Sequence, residues 1–385
     1  MGDQHLFLSC GEASGDRYGA ALLAALRRER PELRVTAMGG DVLAAAGADV
    51  VVDSAPIRIM GFGEVLSHLG PILRTRRAVW QHVKTSQVDM VVPIDFPGFN
   101  LRLAAHARRQ GIPVFYVVPP QLWAWGGWRV DRLRQNVDQL GTILPFEADW
   151  FGERGVPTVH LGHPLMEDYA EFPFEARRRA REERLLDSNV PITLGLLPGS
   201  RRQEIEALLP TMKVAARMAQ SWLGRRRVKF LVSRAPGSDS RRLSALAGGA
   251  FQLVEEPLPD LLSRLDVALV CSGTASLEAS LAGVPHAVVY RTSAFNYAIG
   301  KRVVKVPYIG LANLILDRPL VTEHIQGDAD PTLLANSLLG FLNTPGHRQE
   351  FYRGCNDLRR RCGGAGVWRR AARAIINLLD RTGSA

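Results

Sequence analysis

Asp95 ends the apolar run Val91-Val92-Pro93-Ile94, and Phe96-Pro97-Gly98-Phe99-Asn100 then turns into a helix-like pattern carried by Leu101, Leu103, Ala104 and Ala107. That order puts a carboxylate where a buried parallel strand releases its chain at the carboxyl edge of a sheet, the place where open α/β sheets hold ligands. A side chain there is placed for chemistry, although an aspartate before a helix also serves as its cap. Two further strand-to-helix turns carry groups suited to phosphate. The run 192–197 delivers Pro198-Gly199-Ser200-Arg201: Gly199 lets backbone N–H groups approach a ligand, Ser200 can cap the next helix, and Arg201 offers a planar fork for a diphosphate. The run 266–270 delivers Ser272-Gly273-Thr274, which crowds N–H and O–H donors at a helix N-terminus. One turn on, Glu278 either accepts from a ribose diol or closes a capping box. Two such half-cradles on neighbouring strands point to a pyrophosphate.

The elements that must position these groups follow a βα rhythm. Leu6 to Cys10 reads as a first buried strand, and Gly11-Glu12-Ala13-Ser14-Gly15-Asp16 as a small-residue turn into a helix with apolar positions Ala20, Leu23, Ala24 and Leu26. The turn lacks the G-x-G-x-x-G spacing of a dinucleotide fold, so a nicotinamide is not supported and no cofactor is expected. Glu12, facing a ligand, would repel phosphate, which assigns it to an uncharged or hydroxyl-rich part. Strand-like runs follow at 35–40, 48–52 and 114–118, residues 143–147 read as a strand end, and 159–165 closes the first half. The Arg- and Glu-rich run 172–187 reads as a linker, after which strands restart at 192–197, 228–232, 266–270 and 287–291.

Two stretches depart from this rhythm. Residues 57–66 string large apolar side chains, Met60 and Phe62 among them, through Gly61 and Gly63; they suit a mobile apolar lip for an acyl tail or the start of a core helix. Trp123, Trp125 and Trp128 fall within six residues beside Gly126 and Gly127, suited to a sugar face or interfacial lipid, with core packing as the competing account.

The chain has 385 residues, 46% of them hydrophobic, enough for two α/β domains. Cys10, Cys271, Cys355 and Cys362 show no metal-ligand spacing, so reduced thiols and no metal are expected. No stretch reaches the length of a spanning helix, which leaves a soluble or surface-bound protein. The net charge of +10 favours anionic partners, although only five of the 48 basic residues are lysine, a bias that reads as GC-rich coding. Clusters at Arg74, Arg76 and Arg77, and at Arg177, Arg178, Arg179 and Arg181, each also read as a solvated helix face. No nucleic-acid motif appears, so nucleic acid is not expected as a partner.

Two Rossmann-like halves, a strand-end carboxylate in the first and paired cradles in the second, suit a nucleotide-sugar glycosyltransferase of the GT-B type, with helix dipoles and arginine in place of a divalent ion. Nine motifs sharpen this: GEASGD (11–16), MGFGEVL (60–66), PIDFPGFN (93–100), WAW (123–125), LPFE (144–147), GHPL (162–165), LLPGSR (196–201), SGTASLE (272–278) and YIGLANLI (308–315). In order and over nearly the whole chain, they resemble the lipid-A-disaccharide synthase family.

The resemblance implies an α/β protein of two Rossmann-like domains facing a central cleft: an acceptor-binding domain at 1–170, a UDP-sugar-binding domain at 171–345, and C-terminal helices at 346–385 packing back on the first. It implies transfer from UDP-2,3-diacylglucosamine to 2,3-diacylglucosamine 1-phosphate (lipid X), giving a β-1,6-linked disaccharide and UDP. Asp95 matches the family's general base and Glu12 a residue needed for activity. Arg201, with Gly199, Ser200, Ser272, Gly273 and Thr274, matches the diphosphate site, and Glu278 and Asn313 match donor contacts. Met60, Phe62, Trp123 and Trp125 fall to acceptor and acyl chains. The implied setting is peripheral, on the cytoplasmic face of a Gram-negative inner membrane with its anionic lipids, and it leaves room for a homodimer or for a paralogue with another acceptor. Three positions depart from the family pattern: Gly98 stands where a second Asp is usual, so Asp95 acts without a paired carboxylate; Pro119-Pro120 replaces a Ser before the tryptophans; and Arg202-Gln203 replaces smaller residues.

Overall fold

Apolar runs without polar alternation form strands covered on both faces, and here they build two parallel sheets. The computed structural model describes residues 4–58, 69–235, 240–304 and 306–383. The first sheet has seven strands, β1 (His5–Cys10), β2 (Arg34–Gly39), β3 (Asp49–Asp53), β4 (Met90–Ile94), β5 (Phe115–Val117), β6 (Gln139–Thr142) and β7 (Thr158–His160), in the order β3-β2-β1-β4-β5-β6-β7. The second has six, β8 (Ile192–Leu197), β9 (Val228–Ser233), β10 (Phe251–Val254), β11 (Val267–Cys271), β12 (His286–Tyr290) and β13 (Glu323–Ile325), in the order β10-β9-β8-β11-β12-β13. β1, β4 and β11 are buried at every residue. β6, β10 and β13 are short and partly polar; the sequence marked only a strand end at 143–147, just beyond β6, and neither β10 nor β13.

The chain divides into two compact units, Met1–Pro164 with Ala365–Ala385, and Leu165–Gly364. Three expectations change. The first junction falls at 164/165, six residues before the expected one. The run 172–187 is no linker: it contains the helix Phe174–Leu186, whose Arg181 is 1% exposed and donates to Leu265 O at 2.9 Å and Gly283 O at 2.7 Å. The two C-terminal helices also part company. The helix Pro345–Cys362 belongs to the second unit, where Arg348 makes a bidentate pair with Glu182 at 2.7 and 2.8 Å and Arg359 donates to Leu281 O and Tyr169 O. Val367–Gly383 belongs to the first unit: Trp368 lies against Tyr18 with ring centroids 5.1 Å apart, and Asp380 accepts from Arg30 Nη1 and Nη2 at 2.7 and 2.8 Å.

A histidine chain secures the amino-terminal edge of the first sheet. Thr36 Oγ1 bridges His5 Nε2 (2.8 Å) and His82 Nε2 (2.9 Å), and Ser86 binds both rings through its carbonyl (2.9 Å) and hydroxyl (3.1 Å). Burial is the main cause lowering both imidazole pKa values; for His82 the charge of His5 comes second. A histidine held below its unfolded value of 6.5 stabilises the fold above that pH and withdraws that support as pH falls through it. The melting temperature is therefore expected to fall between about pH 7 and about pH 5. His82→Asn should show a smaller fall, and an undiminished one would place the acid sensitivity elsewhere.

Candidate active site

The first sheet reverses its strand order between β1 and β4, so the carboxyl ends of these paired strands form its topological switch point. β1 leads into Glu12, at the start of the helix Ala13–Glu29, and β4 leads into Asp95 before the helix Pro97–Arg109. The two carboxylates named from sequence thus share one edge. Glu12 is exposed and its side chain caps nothing. Asp95 is half-buried; burial raises its carboxyl to about 6, the nearby Glu12 charge pushes the same way, and the Phe96 N–H opposes. It is mainly ionised at neutral pH yet basic enough to take a proton, the range that suits a general base. The capping alternative does not hold, since Phe96 stands at the helix boundary and no side chain caps it.

The backbone here is strained. Asp95 (φ 49°), Phe96 (φ 50°) and Val118 (φ 56°) lie in the left-handed region, at a cost on the order of 1–3 kcal/mol each. Hydrogen bonds converge to hold it. The Asp95 carbonyl accepts from Asn100 Nδ2 at 2.7 Å and from the Tyr116 hydroxyl at 2.7 Å, and Ser9 Oγ fixes Asn100 by donating to its Oδ1 at 2.6 Å. Gly11 leaves room, because a Cβ there would run into the Phe96 ring. Asn100 and Tyr116 were not singled out from sequence; the only signal was an asparagine closing the PIDFPGFN motif. Gly98 is exposed, with nothing within 4 Å of the place a Cβ would take.

The second sheet reverses between β8 and β11, which pair directly, Leu197 beside Val270. Both phosphate-type turns leave from these strands, so Gly199, Ser200 and Arg201 neighbour Ser272, Gly273 and Thr274 at a second switch point. Gly199 (φ 103°) and Gly273 (φ 144°) use backbone conformations that side chains disfavour. Ser200 is not the cap. Arg201 is, and Glu204 closes the helix end by accepting from Arg201 N at 3.3 Å and Nη1 at 3.1 Å. A helix N-terminus and a guanidinium that together hold a carboxylate suit a phosphate oxygen equally well. Ser200, Arg201, Gly273 and Thr274 are exposed.

Glu278 is the fifth residue of the helix Thr274–Leu281, past the capping-box position, and accepts from the Tyr169 hydroxyl at 2.9 Å. Asn313 departs from expectation. It is 1% exposed, its Nδ2 donates to Val321 O and Glu323 Oε1, and its Oδ1 accepts from Leu320 N and Val321 N. All four of its hydrogen bonds are used within the protein, which ties the helix Leu311–Leu316 to the 320–323 segment. Ser272 Oγ ties the cradle to the 308–315 segment through Ile309 O at 3.2 Å.

Trp123 is half-buried, donates to Glu147 Oε1 at 3.0 Å and packs edge-on against Phe146, so the packing account holds for it. Trp125 and Trp128 are 42% and 67% exposed, with the Arg129 guanidinium 5.0 Å from each ring. Met60 and Phe62 lie outside the described residues. The lone Asp-x-Asp of the chain, Asp328 and Asp330, belongs to a helix start: Asp330 caps Pro331–Asn343 by accepting from Thr332 N at 2.8 Å.

The profile of the lipid-A-disaccharide synthetase family matches residues 6–359, a span that includes both carboxylates and both cradles. The chain belongs to that family. Among its relatives, the lipid-A-disaccharide synthase of Myxococcus xanthus (strain DK1622) is 37% identical over 377 residues, covering 97% of each chain. Solved structures share the fold at lower identity. A UDP-GlcNAc 2-epimerase from Neisseria meningitidis bound to UDP-GlcNAc has a TM-score of 0.58 at 13% identity, covering 98% of this chain and 100% of its own. Acinetobacter baumannii MurG has a TM-score of 0.56 at 14% identity, covering 98% and 99%. The fold is thus GT-B, common to both, and it is membership of the lipid-A-disaccharide synthetase family that says more about this chain than its fold. Among the described residues no helix is long and apolar enough to cross a membrane.

Proposed function

We propose that the protein is an inverting glycosyltransferase that joins UDP-2,3-diacylglucosamine to 2,3-diacylglucosamine 1-phosphate, releasing UDP and the β-1,6-linked disaccharide 1-phosphate, at the inner face of the inner membrane. Family membership supports the reaction, and the observation that carries the mechanism is Asp95 at the β1/β4 switch point with its carboxyl raised to about 6. Asp95 takes the proton of the acceptor's 6-hydroxyl as that oxygen attacks the anomeric carbon of the donor, and the bond to the UDP oxygen breaks on the opposite face. Glu12, beside it, meets hydroxyl groups of the sugar rather than phosphate. Charge developing on the leaving diphosphate is held by Arg201 and by the N-termini of the helices Arg202–Trp222 and Thr274–Leu281, preorganised donors aimed where charge appears. Glu278 and its Tyr169 partner lie on the donor side.

Mass spectrometry of the product from these two substrates tests the reading. The disaccharide 1-phosphate and stoichiometric UDP are expected; free 2-epimerised sugar, or transfer only to a soluble acceptor, would replace it. The clamp on Asp95 gives a finer test. Tyr116→Phe removes one of two donors to the Asp95 carbonyl, and a single hydrogen bond is worth about 0.5–1.5 kcal/mol, so kcat should fall roughly 3- to 10-fold with UDP affinity unchanged. Equal losses in kcat and UDP binding would instead indicate a general disturbance of the fold.

A further inference from the structure

We propose that the groove between the helices Leu69–Thr85 and Pro97–Arg109 docks the protein on a bilayer through anionic lipid headgroups. The inference rests on the lipid-substrate reading and names the surface that meets the membrane. Arg76, Arg77 and Lys84 from one helix and Arg102 and Arg109 from the other line a cavity of about 810 Å³, all five are exposed, and no carboxylate among the described residues lines it. Among the described residues none of the five enters an ion pair, whereas Arg108, one position away, is neutralised by Asp138 at 3.1 Å. Five like charges held together repel one another unless an anion sits among them. Their arrangement is also amphipathic. Trp80, stacked on His106 with centroids 5.1 Å apart, forms an apolar strip between the cations, and Leu73, 49% exposed, extends it. Cations flanking an apolar strip match a headgroup layer above acyl chains. Single-stranded nucleic acid would need open aromatic faces for stacking, but one face of Trp80 is covered by His106 and Phe99 meets its ring edge-on at 5.4 Å.

The test is sedimentation of the full chain with vesicles of phosphatidylcholine alone or mixed with phosphatidylglycerol. Each basic residue near an anionic surface contributes on the order of fivefold in binding, so Arg76→Glu/Arg77→Glu should weaken binding to the mixed vesicles by at least ~25-fold. Arg102→Gln/Arg109→Gln, from the other helix, should weaken it comparably. The matched control Arg225→Glu/Lys229→Glu changes net charge equally at exposed positions of the second unit and should lose severalfold at most. Melting temperatures near wild type show that losses are not unfolding. Equal losses in groove and control variants, no loss in either groove variant, or a groove-dependent loss of RNA binding with vesicle binding intact would each overturn the proposal. Vesicle binding needs no turnover. A wild-type protein that sediments but forms no disaccharide therefore contradicts the reaction and leaves the docking site standing.

Discussion

Asp95→Asn is expected to slow disaccharide formation by about 10²–10⁴-fold while UDP affinity stays within experimental error of wild type. The amide matches the carboxylate in size, so the strained backbone and its bonds to Asn100 and Tyr116 have no reason to move. What it removes is the basicity that lets Asp95 receive the acceptor's proton, since an amide oxygen accepts a hydrogen bond but is not protonated near neutral pH. Glu12 cannot take over: it is exposed and lies on the neighbouring strand end, and its electrostatic role is to raise Asp95. Gly98 supplies no second carboxylate either. Full turnover by the variant, measured from initial rates of disaccharide formation, would remove Asp95 as the base. A parallel loss of UDP binding would point to a collapse of the edge instead.

Arg201→Ala is expected to weaken UDP binding roughly 10- to 100-fold, because hydrogen bonds to charged groups contribute about 1.5–3 kcal/mol. Two effects add in this variant. The planar fork that suits a diphosphate is lost, and Glu204, which Arg201 partly neutralises at 3.1 Å, is left facing the incoming phosphates. Arg201→Lys should recover only part of the affinity, since an ammonium restores charge without the fork. Titration calorimetry with UDP reads both variants. Unchanged affinity in Arg201→Ala would move the diphosphate away from the β8 turn.

The two switch points were legible because their signals are local. Each is an unbroken apolar strand followed by a turn of small, polar or charged residues, and both the burial of β1, β4 and β11 and the helix starts can be read within about ten residues. What failed depends on partners far along the chain. Asn313 carries an amide suited to a ligand, but its bonds go to the 320–323 segment, which no spacing rule connects to it. Arg181 sits in a run whose charge reads as solvated, yet carbonyls 84 and 102 residues away bury it and turn an expected linker into a packed helix. Tyr116 looked like one more strand residue. Only the β4–β5 pairing brings its hydroxyl to the Asp95 carbonyl, 21 residues back. The short edge strands β10 and β13 lacked enough apolar residues to show a period.

The dependence of kcat/KM on pH tests the central claim most directly, followed as disaccharide formation at saturating UDP-diacylglucosamine across the range where the protein stays folded. The carboxylate form of Asp95 is the active one, and its carboxyl titrates at about 6, so the rate should fall tenfold per unit below that value and level off above it. The residual rate of Asp95→Asn should lack this limb. A wild-type profile flat through 6, or the same limb persisting in Asp95→Asn, would contradict the assignment of Asp95 as the group that takes the acceptor's proton.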